Sequence, residues 1–505
     1  MVGDIYKNNF NGEKIALNFK DRSVSYSQLD QTVLGYASQL KKMGVSKGDK
    51  VVLSCLNSPE FIYSYLGTVR NGAIIVPVNL QLTMEEIAFI VKDSEAKFMI
   101  MQPAILHKAK LTKESVENLL GVTLIILDEA WAKLVCESPI EELEDFSDEN
   151  AISTFLYTSG TTGKPKAAML THKNLVRNSE QCYVGICGQP DDIYMCVLPM
   201  FHVFAFTACI LVPLWSGATI TIVESFQPKE VIELLAGNIT VFMGVPAMYV
   251  VLLEAGKKNI TFPNLRMAVS GGAALPVEIY RQCREIMNLP VIEGYGLTEA
   301  SPACSFNPFY GVQKEGSIGL PIASIECKIF DEHDMELPAG EVGELVVRGD
   351  NVMLGYYNQP KETEEALRGG WLHTGDLAKT DDEGYIYIVD RIKDMIIVAG
   401  LNVYPREVEE AIYQHPAVKE AAVIGVSDPL RGESVKAIIA LKEGTECGSR
   451  DMMRFLKEKL ASYKLPRRIE FVPALPKNSS GKIAKLVLRQ QSEQAASSGK
   501  KHLLY

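Results

Sequence analysis

One ten-residue run, Tyr157-Thr158-Ser159-Gly160-Thr161-Thr162-Gly163-Lys164-Pro165-Lys166, directly follows the apolar stretch Ile152-Ser153-Thr154-Phe155-Leu156. The apolar stretch predicts a strand. The polar run predicts a loop leaving its end, where ligands of open α/β sheets collect. Its chemistry suits a phosphate: backbone N–H groups at Gly160 and Gly163 can approach an anion closely, Ser159, Thr161 and Thr162 add hydroxyl donors, and Lys164 and Lys166 add charge. The run is not a standard P-loop. That pattern needs a glycine five residues before Gly163 and a Ser or Thr after Lys164, where this chain has Thr158 and Pro165. A plain Ser/Thr/Gly turn is the competing reading.

The patterning around this loop extends the α/β reading. Leu29, Val33, Tyr36, Leu40 and Met43 fall on one helix face closed by Gly44, followed by strand-like Lys50 to Cys55, a helix opening at Pro59, and strand-like Ala73 to Val78. That alternation is a doubly wound signature. An acidic stretch from Glu137 to Glu149 reads as a solvated connection and sets a soft boundary near 150. Alternation resumes to about Pro321, with Gly271-Gly272-Ala273 and Gly294-Tyr295-Gly296 each following an apolar run. Val203 to Trp215 reads as a buried helix, too short for a membrane span. From Ile322 to Asp390 short strands and turns predict an antiparallel β unit.

After Arg391 the pattern restarts as a small α+β domain, with a helix from Pro405 to Tyr413, strands Ala421 to Val426 and Val435 to Leu441, and a helix from Asp451 to Leu460. The expected architecture is therefore a large N-terminal domain, 1–390, of doubly wound α/β subdomains plus a β-rich subdomain. The short stretch 391–394 joins it to a small C-terminal α+β domain, 395–505, whose tail after about 489 reads as disordered. At 505 residues the chain is long for one core. A net charge of −11 argues against a nucleic-acid partner. The ten scattered cysteines, without Cys-x-x-Cys pairs, suit reduced thiols in a cytoplasmic protein, and no signal peptide is evident. A homo-oligomer stays open.

Seven motifs in order carry a resemblance. They are Tyr157 to Lys166, Pro199-Met200-Phe201-His202, Gly271-Gly272-Ala273, Tyr295-Gly296-Leu297-Thr298-Glu299, Thr374-Gly375-Asp376, Asp390-Arg391-Ile392-Lys393-Asp394, and Pro476-Lys477-Asn478-Ser479-Ser480-Gly481-Lys482. Nearly the whole chain thereby resembles the adenylate-forming superfamily of acyl-CoA synthetases, firefly luciferases and peptide-synthetase adenylation domains. The resemblance is to its bacterial fatty-acid–CoA ligases and 4-coumarate–CoA ligases in particular. It implies two steps: a carboxylate attacks the α-phosphate of MgATP to give an acyl-adenylate and pyrophosphate, then a thiol displaces AMP.

The same resemblance assigns roles. Thr158 to Lys166 would hold the β- and γ-phosphates, Thr298 the α-phosphate, and the Glu299 carboxylate Mg²⁺. Tyr295 would stack on adenine, with Gly271, Gly272 and Ala273 leaving room for the ring and Gly294 and Gly296 flanking the turn. Asp376 and Arg391 would clamp the ribose. Lys482 would carry catalysis of adenylation from the small domain, and His202 would gate the carboxylate by switching between neutral and charged forms. Lys393 takes the hinge position and Gly400 the CoA tunnel after domain rotation.

By the same resemblance, acyl-pocket positions fall on Phe206, Gly244, Val245, Pro246, Pro302 and Ala303. These are apolar or small residues without a cation for a second carboxylate, and they favour a hydrophobic monocarboxylic acid. Gly244, Gly272 and Ala303 are expected to leave a channel for an alkyl chain. A medium- or long-chain fatty acid with CoA as acceptor is the leading expectation. An aryl acid of the coumarate type, a carrier-protein acceptor, and a catalytically silent nucleotide-binding scaffold are the alternatives.

Overall fold

The computed structural model describes residues 1–137, 147–159, 165–289, 291–478 and 481–497. Gly160 to Lys164, at the centre of the phosphate-loop expectation, lie outside the described residues, as do Ser479 and Ser480.

Two sheets form the frame of the large domain. A six-stranded sheet has the spatial order Thr123–Ile126, Phe98–Met101, Lys50–Ser54, Ile74–Pro77, Ile152–Ser159, Pro165–Thr171, and is parallel except for its last, antiparallel pair. A nine-stranded sheet runs Leu320–Pro321, Ala303–Phe306, Val291–Gly296, Met267–Ser270, Val241–Gly244, Ile193–Cys196, Thr219–Ile222, Ile15–Phe19, Arg22–Ser25. Its five central strands are mutually parallel. Helices cover these sheets as the patterning predicts. The helix Tyr26–Lys42 begins with a capping box between Ser25 and Gln28 and buries Leu29, Val33, Tyr36 and Leu40. Each such side chain contributes roughly 1.5–3 kcal/mol. Met43, expected on the same face, lies past the last turn and is 38% exposed.

Three expectations need correction. The boundary near 150 does not divide the sheets. The strands Ile15–Phe19 and Arg22–Ser25 cross to the nine-stranded sheet, while Ile152–Ser159 and Pro165–Thr171 complete the six-stranded one. Second, Tyr157, Thr158 and Ser159 continue a strand instead of opening a loop, because main-chain pairing with Ala167, Lys166 and Pro165 outweighs their polarity. Third, residues after Arg489 continue the helix Lys485–Ser497, anchored by buried Leu488, by Arg489 on Asp394 (2.8 Å) and by Lys436 Nζ on the Ser492 hydroxyl (2.9 Å). The segment Val203 to Ser216 is buried and helical as expected, with a π-helical stretch at Phe206–Leu211.

The four-stranded antiparallel sheet Ile325–Phe330, Gly343–Gly349, Leu372–Thr380, Ile386–Arg391 forms the β unit. The small domain holds a five-stranded sheet built on the long hairpin Val418–Asp428/Gly432–Leu441, to which Arg468–Phe471 adds a parallel strand absent from the sequence reading. The hydrophobic clusters follow the same division. One continuous cluster runs from Val2 to Ile386, whereas the clusters of the small domain draw only on residues from Ile396 to Leu488.

Candidate active site

The C-terminal ends of neighbouring parallel strands build one side of the site. Gly271-Gly272 leaves Met267–Ser270, and Gly294-Tyr295-Gly296 ends the adjacent Val291–Gly296. A positive φ of 79° at Gly272 is open to glycine and strained for other residues. At Gly296 an added Cβ would meet the Pro302 carbonyl, so the strand can turn there only without a side chain.

Tyr295 and Arg391 both reach Asp376. The Tyr295 hydroxyl donates to Asp376 Oδ2 at 2.5 Å, and Arg391 Nε lies 3.1 Å from Oδ1. Residues 376 and 391 oppose one another across the antiparallel pair, so the sheet register sets this contact. Burial and the adjacent carboxylate push the Tyr295 phenol well above its ordinary pKa, which keeps it a donor. Each carboxylate oxygen retains a lone pair, leaving acceptor capacity for two hydroxyls. With Arg391 57% exposed, the ion pair contributes at most about 1 kcal/mol to stability. Its value lies in geometry.

The hairpin expected to hold phosphates is tied to Glu299 by a residue the sequence reading missed. Leu354 to Tyr357 runs beside the strand Pro165–Thr171, with Met169 N donating to Gly355 O and Tyr357 N to Ala167 O, both at 2.9 Å. Tyr356 then bridges two predicted residues. Lys166 Nζ sits 5.3 Å from its ring centre, and its hydroxyl donates to Glu299 Oε1 at 2.8 Å. Thr158 pairs with Lys166 across the hairpin. Thr298 and Glu299 occupy a single 3₁₀ turn after Tyr295, with Met353 N donating to Glu299 O at 2.8 Å. Gly355-Tyr356-Tyr357 carries no charge pattern that points to this role.

Lys482 enters from the small domain. Its turn is fixed by Asn478, whose side chain accepts from Lys482 N at 3.0 Å and whose backbone N–H donates to Lys482 O at 2.8 Å. The lysine reaches a small cleft lined by Leu198, Pro199, His202, Phe204, Val245 and Gly272. A Cβ at Gly272 would lie 3.1 Å from Lys482 Cε and 3.6 Å from Nζ. Burial, reinforced by Arg391 and opposed by Asp376, pulls the ammonium pKa down to about 8. His202 accepts the Phe204 N–H on Nδ1 at 3.2 Å, which places the proton of the neutral ring on Nε2. Burial and the nearby Lys482 lower its pKa to about 3. The expected charge switching of His202 is thereby corrected: the ring stays neutral and can only donate from Nε2 near neutral pH.

The acyl-pocket expectation also changes. Val245 lines the cleft; Phe206, Gly244, Pro246, Pro302 and Ala303 do not border it. Phe206 packs on Tyr65 with ring centres 4.3 Å apart, and the space beside Gly244 is filled by Phe242 and Tyr249. Phe204 fills the space beside Gly271, where a Cβ would meet its ring at 3.0 Å. Pro246 opens the helix Pro246–Gly256. Pro302 accepts from Leu297 N at 3.0 Å and Ala303 from both Asn178 and Asn351, so both serve the return strand. Aromatic rings thus take the space beside Gly244 and Gly271. Ala273 is exposed beside the glycine turn. Lys393 is exposed in the turn Ile392–Asp394, and Gly400 stands at an open hairpin tip with φ of 82°. Neither touches the cleft while Lys482 occupies it.

The hairpin that ends in Lys166, the Tyr295–Asp376–Arg391 cluster and a lysine from a second domain are the parts expected of an acyl-activating site. Comparison with known proteins agrees. Residues 7–357 match the AMP-binding enzyme family, and residues 407–482 match the AMP-binding enzyme C-terminal domain. A long-chain-fatty-acid–CoA ligase of Bacillus subtilis (strain 168) is 34% identical over 95% of this chain and 92% of its own length. A feruloyl-CoA synthase of an Amycolatopsis species is 34% identical over 93% of this chain and 94% of its own. Among solved structures, ATP-bound MatB from Rhodopseudomonas palustris superposes with a TM-score of 0.92 at 30% identity, covering 97% of this chain and 98% of that one. The chain belongs to the AMP-binding enzyme family. Within it, it is an acyl-CoA synthetase, an AMP-forming acid–thiol ligase. No helix among the described residues is long and apolar enough to cross a membrane.

Proposed function

We propose that this ligase activates a hydrophobic monocarboxylic acid with MgATP and passes the acyl group to CoA, with fatty acids of medium or long chain as its first substrate class. The observation that carries the reading is the cleft around Lys482. Its walls are apolar apart from His202, and Lys482 is the one cation among the described residues that line it. One cation suits one carboxylate.

In this reading Lys482 neutralises charge developing between the carboxylate and the α-phosphate. The neutral His202 orients the carboxylate through Nε2–H. Tyr295 stacks on adenine while its hydroxyl holds Asp376 toward the ribose, and Lys166 with Thr158 faces the departing pyrophosphate. Glu299 fits Mg²⁺: one half-buried carboxylate, positioned by Tyr356, is the ligand count of an ion that keeps waters and phosphate oxygens. When bound, that ion neutralises phosphate charge. The exposed turn at Lys393 and the open hairpin at Gly400 suit a second arrangement in which the small domain turns to admit CoA.

An aryl acid is the second reading, favoured by Phe204 and the rings of Phe242 and Tyr249 around Gly271 and Gly244. A panel of fatty and aryl acids with ATP and CoA, read as AMP and thioester, tests both. Activity with fatty acids alone supports the first reading and activity with aryl acids alone the second. Absence of acid-dependent pyrophosphate release with every acid overturns the ligase reading.

A further inference from the structure

The helix Val277–Met287 has no cap of its own. Pro276 precedes it without a side-chain donor or acceptor, and the N–H of Val277 donates instead to Glu410 Oε2 at 3.2 Å. Glu410 belongs to the helix Pro405–Tyr413 of the small domain. A helix of one domain is thus capped by a carboxylate of the other.

The remaining carboxylates of Pro405–Tyr413 serve their own domain, Glu407 on Lys464 and Glu409 on Lys485. Arg406 shares the boundary with Glu410. Its backbone N–H donates to Asp390 Oδ2 and its guanidinium to Ile388 O, both at 2.8 Å, and its Nε lies 3.9 Å from Glu410. Asp390 and Ile388 adjoin the 391–394 turn, so these bonds sit beside the pivot. Val277 lies five residues beyond Gly272, the residue that Lys482 reaches. A rotation that withdraws Lys482 would break the Glu410 cap.

We propose that Glu410 is a positioning residue, which caps the helix at Val277 across the domain boundary and so favours the arrangement with Lys482 in the cleft. The inference rests on the two-step reading above. Burial raises the Glu410 carboxyl pKa and Arg406 opposes this, in keeping with a partly desolvated group held by its neighbours. A cap of ordinary strength, ~1 kcal/mol, corresponds to about fivefold in an equilibrium. That biases the arrangement without locking it.

The test uses the full chain and three single variants, Glu410→Ala, Glu410→Gln and Val277→Pro, with the double Glu410→Ala/Val277→Pro. Proline is favoured at a first helical position, and the φ of −55° and ψ of 134° at Pro276 suit a residue before proline. Val277→Pro therefore removes the donor and keeps the helix. With dodecanoate, or ferulate if that is the acid activated, pyrophosphate release should fall, by up to about fivefold, in Glu410→Ala and in Val277→Pro, and no further in the double variant. Glu410→Gln, which keeps an acceptor, should recover most of the rate. Thioester formation from supplied acyl-adenylate and CoA should hold or rise. Equal loss of both half-reactions, or multiplicative loss in the double variant, would overturn the proposal.

A second readout does not depend on turnover. Dyes placed at the exposed Val184 and Leu430 report the distance between the domains. Glu410→Ala should shift their energy-transfer distribution relative to the wild type. An unchanged distribution would sink the cap's role even if the chain proved to be no ligase, while missing pyrophosphate release in the wild type would count against the ligase reading alone.

Discussion

Lys482 and Gly272 come from different domains and share one small space, in which a Cβ at position 272 would stand 3.1 Å from the lysine Cε. A side chain at position 272 would crowd the lysine in its present place. Lys482→Ala should lower acid-dependent pyrophosphate release by about 10²–10³-fold, the usual cost of removing one group aimed at developing charge. Thioester formation from supplied acyl-adenylate should be largely spared. A bulky replacement, Gly400→Phe, should do the reverse. Equal loss of both steps in both variants would rule out two working arrangements.

The lowered Lys482 pKa sets a pH limit. The group is half protonated near pH 8 and loses its charge above that, so kcat/KM for MgATP in pyrophosphate release should fall as pH rises through about 8. Bound phosphates favour the charged form, which moves the limb for kcat to higher pH. Lys482→Arg should keep whatever activity it has across this range, since the guanidinium does not titrate there. His202, whose pKa of about 3 leaves it neutral throughout this range, should contribute no limb near pH 6.5.

Tyr356→Phe removes the hydroxyl that orients Glu299. The apparent affinity for Mg²⁺ in pyrophosphate release should weaken about fivefold, as expected for one hydrogen bond of ~1 kcal/mol to a carboxylate. Excess Mg²⁺ should restore the rate. Titration curves that superpose on the wild type would show that Tyr356 only packs.

The Asp376 clamp can be probed with the nucleotide. The wild type should discriminate against 2′-deoxy-ATP, and Asp376→Ala should raise KM for ATP about tenfold or more while erasing most of that discrimination. Unchanged discrimination would place the ribose elsewhere.

A chain-length series reads the acyl site. Each further CH₂ buried contributes ~0.8 kcal/mol, about fourfold in kcat/KM, for as long as the wall yields. A Cβ at Gly244 would press on the Phe242 ring at 2.8 Å, so Gly244→Ala should scale every chain length alike if the chain takes another path. A collapse at one chain length in that variant would locate the channel at Gly244.

Much of this site was legible in the chain, for local reasons. Apolar runs followed by Gly271-Gly272 and Gly294-Tyr295-Gly296 mark strand ends, and Asp376 and Arg391 stand out only through the motifs that hold them, since their meeting depends on the pairing of two strands. Tyr356 and Glu410 were not legible, because each acts through a main-chain or interdomain contact with residues far away in sequence. Polarity misplaced the start of the phosphate turn, since pairing with Pro165 to Ala167 keeps Tyr157 to Ser159 in a strand. The rings beside Gly244 were not legible for another reason: a glycine announces missing volume and says nothing of the ring that takes it.

The crossing of Ile15–Phe19 and Arg22–Ser25 into the nine-stranded sheet bears on how this chain can be cut and reassembled. A fragment ending near 150 would carry two strands whose sheet is left behind and would lack the hairpin that closes its own. Severing between Arg391 and Ile396 leaves every sheet and hydrophobic cluster whole. Split-protein complementation or chimeras that exchange the lysine-bearing unit between relatives should therefore be joined there, with acid preference following the larger piece.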